Sequence, residues 1–255
     1  MEPLEQAGLP CYSPEPGIGS PPNHGRVQEP SLATPSRKAA GLFITLEGGE
    51  GSGKTTQAVR LCRLLTAQGY EVLRTREPGG TPLAEQLRRI LLNSSAESMA
   101  SETETLLILA ARRQHVAHVI QPALDRGITV VCDRFSDSTM AYQGYARGLD
   151  LTLLRAMNAW ATGKLVPHLT LLFDIPTPTG LRRRRGQPAT QNRLDRETER
   201  FHSKVRAGFL ALARREPRRI KVVDAQQPPD SVAAAVRTLV LDWLRIRRSG
   251  NRGGR

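Results

Sequence analysis

The run Gly48-Gly49-Glu50-Gly51-Ser52-Gly53-Lys54-Thr55 sets four glycines ahead of a lysine and a hydroxyl, and Thr56 follows. Glycines let successive backbone N–H groups turn inward around an anion, and a helix starting there adds the positive end of its dipole. Lys54 at this spacing reaches the outer phosphates of a bound polyphosphate, and the Thr55 hydroxyl is suited to Mg²⁺. A second pair, Asp133-Arg134, follows another apolar stretch. Its carboxylate is placed to hold Mg²⁺ directly or through water, and arginine suits a monophosphate better than lysine does because it binds in bidentate fashion. A nucleoside triphosphate is the expected ligand.

Such groups work only on rigid elements. Residues 42–46 (Leu-Phe-Ile-Thr-Leu) form an almost continuous apolar run that enters the glycine cluster, as a buried parallel strand does, and Ala58, Leu61, Leu64 and Leu65 share a helical face behind it. Further strands are expected at 71–75, 128–132, 169–173 and 220–223. Helices are expected at 82–92, 102–125, near 138–147, at 151–162 and up to about 215. A final helix carries Val232, Val236, Leu239, Val240, Trp243 and Leu244 on one stripe. This alternation predicts a doubly wound α/β domain, a five-stranded parallel sheet with helices on both faces, binding its ligands at the carboxyl ends of the strands. The domain is expected over residues 41–246. Residues 1–40, rich in Pro and Gly and without periodicity, read as a disordered extension, and 247–255 as a frayed Arg-rich tail.

The 255 residues include 39% hydrophobic ones, enough for a real core, and no apolar run long enough to cross a membrane. No secretory signal is recognisable, and Cys11, Cys62 and Cys132 are too scattered for a disulfide framework or zinc site, so a cytoplasmic protein is expected. The net charge of +13 first reads as a nucleic-acid surface, but its distribution says otherwise. Residues 182–221 carry fourteen Lys and Arg against four Asp and Glu, and residues 245–255 carry five Arg, while the rest is close to neutral. The charge is therefore not read as a nucleic-acid surface, and only the tail leaves that reading open.

Three more segments carry a resemblance. Arg76-Glu77-Pro78-Gly79-Gly80-Thr81 with Leu83-Ala84-Glu85-Gln86-Leu87-Arg88, Asp133-Arg134-Phe135 with Ser138-Thr139 and Ala141-Tyr142-Gln143-Gly144, and Asp224-Ala225-Gln226-Gln227-Pro228 occur in that order behind the phosphate loop. Together they resemble thymidylate kinases of the P-loop nucleoside monophosphate kinase family, from about residue 41 to 245. The resemblance implies ATP with Mg²⁺ as cofactor, thymidine monophosphate (dTMP) as acceptor, dTDP as product and a homodimer. It implies ATP contacts from Glu50, Gly51, Ser52, Gly53, Lys54, Thr55, Thr56, Arg193 and Gln226, and metal contacts from Thr55 and Asp133. Arg134 with Arg76 or Arg88 would hold the acceptor phosphate, with Pro78 and Glu50 beside the nucleotide. Arg112 would address a thymine carbonyl, Thr139 and Gln143 the base, and Tyr142 the sugar 2′ position. Taken alone, Arg112 reads as a solvated helix position and Tyr142 as a half-buried aromatic.

The basic segment then reads as a lid over about 180–196. The phosphate loop lacks an arginine, and members of the family without one carry it in the lid, so the resemblance puts the catalytic arginine among Arg182, Arg183, Arg184 and Arg185. Two departures stand out. Asn192-Arg193 replaces the usual Asp-Arg, with Asp195 close by, and Ile108 stands where a phenylalanine usually stacks on the base. Rival readings are a kinase for another base, a scaffold that binds nucleic acid through its arginines, and a GTPase-like switch, which would need an Asn-Lys-x-Asp element that is absent.

Overall fold

A computed structural model of the chain describes residues 41–93, 98–186 and 192–252; the expected disordered extension lies outside them. Strands β1 (Phe43–Glu47), β2 (Val72–Arg76), β3 (Thr129–Asp133), β4 (Leu169–Asp174) and β5 (Ile220–Asp224) form one sheet in the order β2-β3-β1-β4-β5. All four pairings are parallel. The alternation of side chains along β1 divides the core. Ile44 and Leu46 face α1 (Lys54–Ala67) and α9 (Pro229–Arg252), whose buried Leu61, Leu65, Val236 and Val240 cover that side. Phe43 faces the other way, towards Ile120, Ala123 and Leu124. A third cluster joins Leu172 and Ile220 to α8 (Glu199–Arg215). Among the described residues no helix is long and apolar enough to cross a membrane.

The expected strands appear within a residue or so of their predicted ends, and α2 (Pro82–Leu92) and α6 (Leu151–Thr162) match the reading as well. Four helical regions depart from it. The expected helix over 102–125 is α3 (Ser101–His115), a π-helical turn (Val116–Ile120) and α4 (Gln121–Asp125) in unbroken succession. Pro122 has no N–H to donate, and the widened turn just before it absorbs the misfit. The segment near 138–147 is a short α5 (Ser136–Thr139) followed by a second π-helical turn (Met140–Ala146). The first half of the basic segment, expected only as a lid, is helix α7 (Thr177–Arg185), with Pro178 in its first turn and helix-favouring arginines at its end. Finally, α9 runs on to Arg252, so the reading of a frayed tail from 247 is corrected for residues 247–252.

Candidate active site

The sheet order sets β1 against β3 with Leu46 opposite Asp133, so the loop after β1 and the pair after β3 emerge side by side. The phosphate loop passes so close to α7 that a Cβ on Gly51 would lie 2.1 Å from the Gly180 carbonyl oxygen, which only glycine permits. Lys54, buried, donates to the carbonyls of Gly48 (3.0 Å) and Gly49 (2.8 Å) and to Ser52 Oγ (3.2 Å). Burial, aided by nearby Arg134, lowers its ammonium to about 8 against the pull of Glu50 and Asp133. Thr55 Oγ1 donates to Asp133 Oδ2 at 2.8 Å, bringing the two expected metal ligands together.

Arg134 sits at φ +72°, a left-handed conformation costly for a residue with a side chain. Buried Glu47 holds the turn that requires it. Its carboxylate accepts from the backbone N–H of Phe135 (2.8 Å) and meets Ser138 Oγ at 2.6 Å. From there Arg134 donates to Gly48 O (3.0 Å) and Glu50 Oε1 (2.7 Å) and lies 5.1 Å from the centre of the Tyr142 ring. The Tyr142 hydroxyl donates to the same Glu50 oxygen at 2.8 Å. Burial would raise the Glu50 carboxyl, but Arg134, Lys54 and Tyr142 overcome it and bring it down to about 2. Arg76 pairs with Glu85 and Arg88 donates to Pro78 O, both at the rim of the same cleft. Burial and the neighbouring charge of Arg76 lower the Arg88 guanidinium, the mark of cations gathered without enough anions of their own.

The cleft has a volume of about 940 Å³, and residues 50–56 line one end of it. Arg112, Thr139, Tyr142 and Gln143, the residues expected on the base and sugar, line the same cleft. Arg112 is 2% exposed rather than solvated. Four donors are committed, to Glu77 (2.7 Å), Thr139 (2.8 Å), Asn158 and the Phe135 carbonyl (3.0 Å), which leaves one of its five N–H groups for a ligand. Tyr142 is likewise buried, and Ile108 lines the same cleft. Glu77 and Glu104 are buried carboxylates of this site that the sequence reading missed. Glu77 lies inside a quoted motif. Glu104, Ile108 and Arg112, four residues apart, share one face of α3, and that spacing was the available signal.

The lid arginines separate. Arg183 donates to the carbonyls of Ala225 (2.8 Å) and Gln226 (3.0 Å), and so fixes the loop after β5, whose Gln226 lines the cleft. Arg184 forms a two-bond pair with Asp195 at 2.8 Å and 2.8 Å, which raises its guanidinium. Asp195 also accepts from Asn192 N, while Asn192 Oδ1 accepts from Leu194 N. Asp195 thereby anchors the lid where Asn192 lacks a charge. Arg182 and Arg185 are exposed and outside the cleft lining, since α7 turns them away from it. Arg193, expected on ATP, lines the cleft and bonds to Leu91 O and Glu104.

A five-stranded parallel sheet with a glycine-rich loop after β1, a hydrogen-bonded Thr55–Asp133 pair and several arginines lining one cleft is the architecture of a P-loop nucleoside monophosphate kinase. The thymidylate kinase family model matches residues 46–236. The chain is 54% identical over 196 residues to the thymidylate kinase of Syntrophotalea carbinolica, covering 75% of this chain and 91% of that one. With that of Thermomicrobium roseum it shares 53% over 208 residues, covering 81% and 98%. The crystal structure of thymidylate kinase from Ehrlichia chaffeensis superposes with a TM-score of 0.64 at 34% identity, covering 79% of this chain and 99% of that one. The chain belongs to the thymidylate kinase family, whose activity is ATP-dependent phosphorylation of dTMP to dTDP.

Proposed function

We propose that this chain carries out that transfer with ATP on the loop of residues 50–56 and dTMP under Arg134. The observation that carries the reading is the convergence of Lys54, the Thr55–Asp133 pair and Arg134 at the ends of two paired strands. Lys54 neutralises the outer phosphates of ATP as charge moves to the leaving oxygen. Arg134, with Arg88 and Arg76, holds the acceptor phosphate in line with the bond to be broken. The acceptor oxygen is already anionic, so no general base is needed, and no covalent intermediate forms. Arg184, which lines the cleft and is held in place by Asp195, is the lid arginine we assign to the transferring group. Arg112 and Gln143 read the base, and Tyr142 crowds the sugar.

Thr55 and Asp133 fit Mg²⁺: both offer hard oxygen and lie within hydrogen-bond distance of each other in the cleft. When bound, Mg²⁺ supplies neutralisation of the phosphate charge. A homodimer through α3 and α6 is supported by Leu106, Leu153 and the 80%-exposed Trp160, and light scattering tests it. The free thiols of Cys62 and Cys132 support a reducing, cytoplasmic setting. The decisive experiment is coupled ADP release with dTMP, dUMP, dGMP and thymidine. We expect dTMP to be preferred and thymidine, lacking a phosphate for Arg134, to be inert; preference for a non-thymine acceptor refutes the reading.

A further inference from the structure

Gln143 lies in the base end of the cleft, 1% exposed, and its amide has a donor end and an acceptor end that half a turn exchanges. Which end meets the base decides what base fits. Its Nε2 lies 2.6 Å from Glu104 Oε1. The Glu104 carboxylate, also 1% exposed, accepts from Arg147 at 3.1 Å and from the lid's Arg193. Burial works against its charge, but the bonds from Arg193, Arg147 and Gln143 hold the carboxyl below its ordinary value. An ionised carboxylate can only accept. Gln143 therefore has to turn its NH₂ towards Glu104, and its Oε1 takes no hydrogen bond among the described residues.

The geometry points to Glu104 as a positioning residue that determines specificity: by fixing the donor end of Gln143, it leaves only an acceptor for N3 of the base. That selects pyrimidines with a hydrogen on N3, thymine and uracil, over cytosine, whose N3 is itself an acceptor. The inference rests on the reading of this end of the cleft as the base pocket. Flipping the amide to suit cytosine would set Oε1 against a carboxylate oxygen at hydrogen-bond distance, two acceptors facing each other in a buried place. Glu104 touches no substrate in this account and acts through Gln143 alone.

The test compares kcat/KM for dUMP and dCMP, which differ only at N3 and the group on C4, within one preparation, so that the folded fraction cancels. In Glu104→Gln the new amide can present either end, Gln143 flips freely, and the dUMP preference should fall about tenfold or more. Gln143→Met, which removes both ends, should lower the same ratio, and adding Glu104→Gln to it should change the ratio no further. An unchanged ratio in Glu104→Gln alongside a lowered one in Gln143→Met overturns the inference and leaves the base pocket standing. An unchanged ratio in Gln143→Met takes Gln143 out of base reading and overturns the inference as well; only if it is unchanged in Arg112→Met too is the base pocket itself refuted. A further fall in the double variant shows Glu104 acting by another route and also overturns the inference.

Discussion

Replacing Arg134 by methionine separates two jobs that this side chain performs. One is structural. Arg134 and Glu50 are 18% and 17% exposed, and the pair is joined at 2.7 Å. Removing one partner of a fully buried pair costs about 3–5 kcal/mol; with this exposure, and with Tyr142 and Lys54 still near Glu50, about 2–3 kcal/mol is expected. For a chain of this size that lowers Tm by about 5–10 °C. The other job is catalytic. Two charge-assisted bonds to the acceptor phosphate are worth about 3–6 kcal/mol, so kcat/KM for dTMP should fall about 10²–10⁴-fold. The double variant Arg134→Met/Glu50→Gln tells the jobs apart, because it leaves no carboxylate without its cation. Thermal unfolding should return most of the lost Tm, while coupled ADP release stays as low as in the single variant. Recovery of turnover together with stability would refute the assignment of Arg134 to the acceptor phosphate, and so would a single variant within about threefold of wild type.

Three further outcomes are expected. Lys54→Ala should nearly abolish turnover, and kcat/KM of the wild type should decline as pH rises through about 8, where the buried ammonium loses its proton. A pH profile of Lys54→Arg should lack that decline; if it persists, another group is responsible. Among the lid residues, Arg182→Ala with Arg185→Ala should leave kcat within about twofold, whereas Arg184→Ala should lower it by about 10²-fold or more, and steady-state kinetics showing the reverse order would reassign the lid arginine. Asp133→Asn should raise the Mg²⁺ concentration needed for half-maximal rate by about tenfold, read by metal titration, and an unchanged titration curve denies the Thr55–Asp133 pair its role.

What the sequence made legible was whatever local pattern controls. Residues 42–46 announce a buried strand by continuous apolarity, and fixed spacing then carries Lys54 and Thr55 onto the first helix. Arg134 follows from its place at the end of β3. Arg112 was legible only through the resemblance, because nothing local distinguishes a buried helix arginine from a solvated one until Glu77 and Asn158 arrive from distant segments. Glu104 was missed for the same reason: its partners come from residues 143, 147 and 193. The four consecutive arginines look alike in sequence, and only the turn of α7 sends Arg183 and Arg184 to the cleft and leaves Arg182 and Arg185 in water.

The sheet order has a consequence for descent. Lys54, Thr55, Asp133 and Arg134, which we assign to the phosphates and their metal, follow β1 and β3, whose pairing in register is made by backbone groups and owes nothing to any one side chain. Arg112, Thr139 and Gln143, which we assign to the base, sit on α3, on α5 and on the π-helical turn after it, outside the sheet. A lineage can therefore exchange one nucleobase for another by substitutions on helices alone. The machinery of transfer passes on unaltered beneath them.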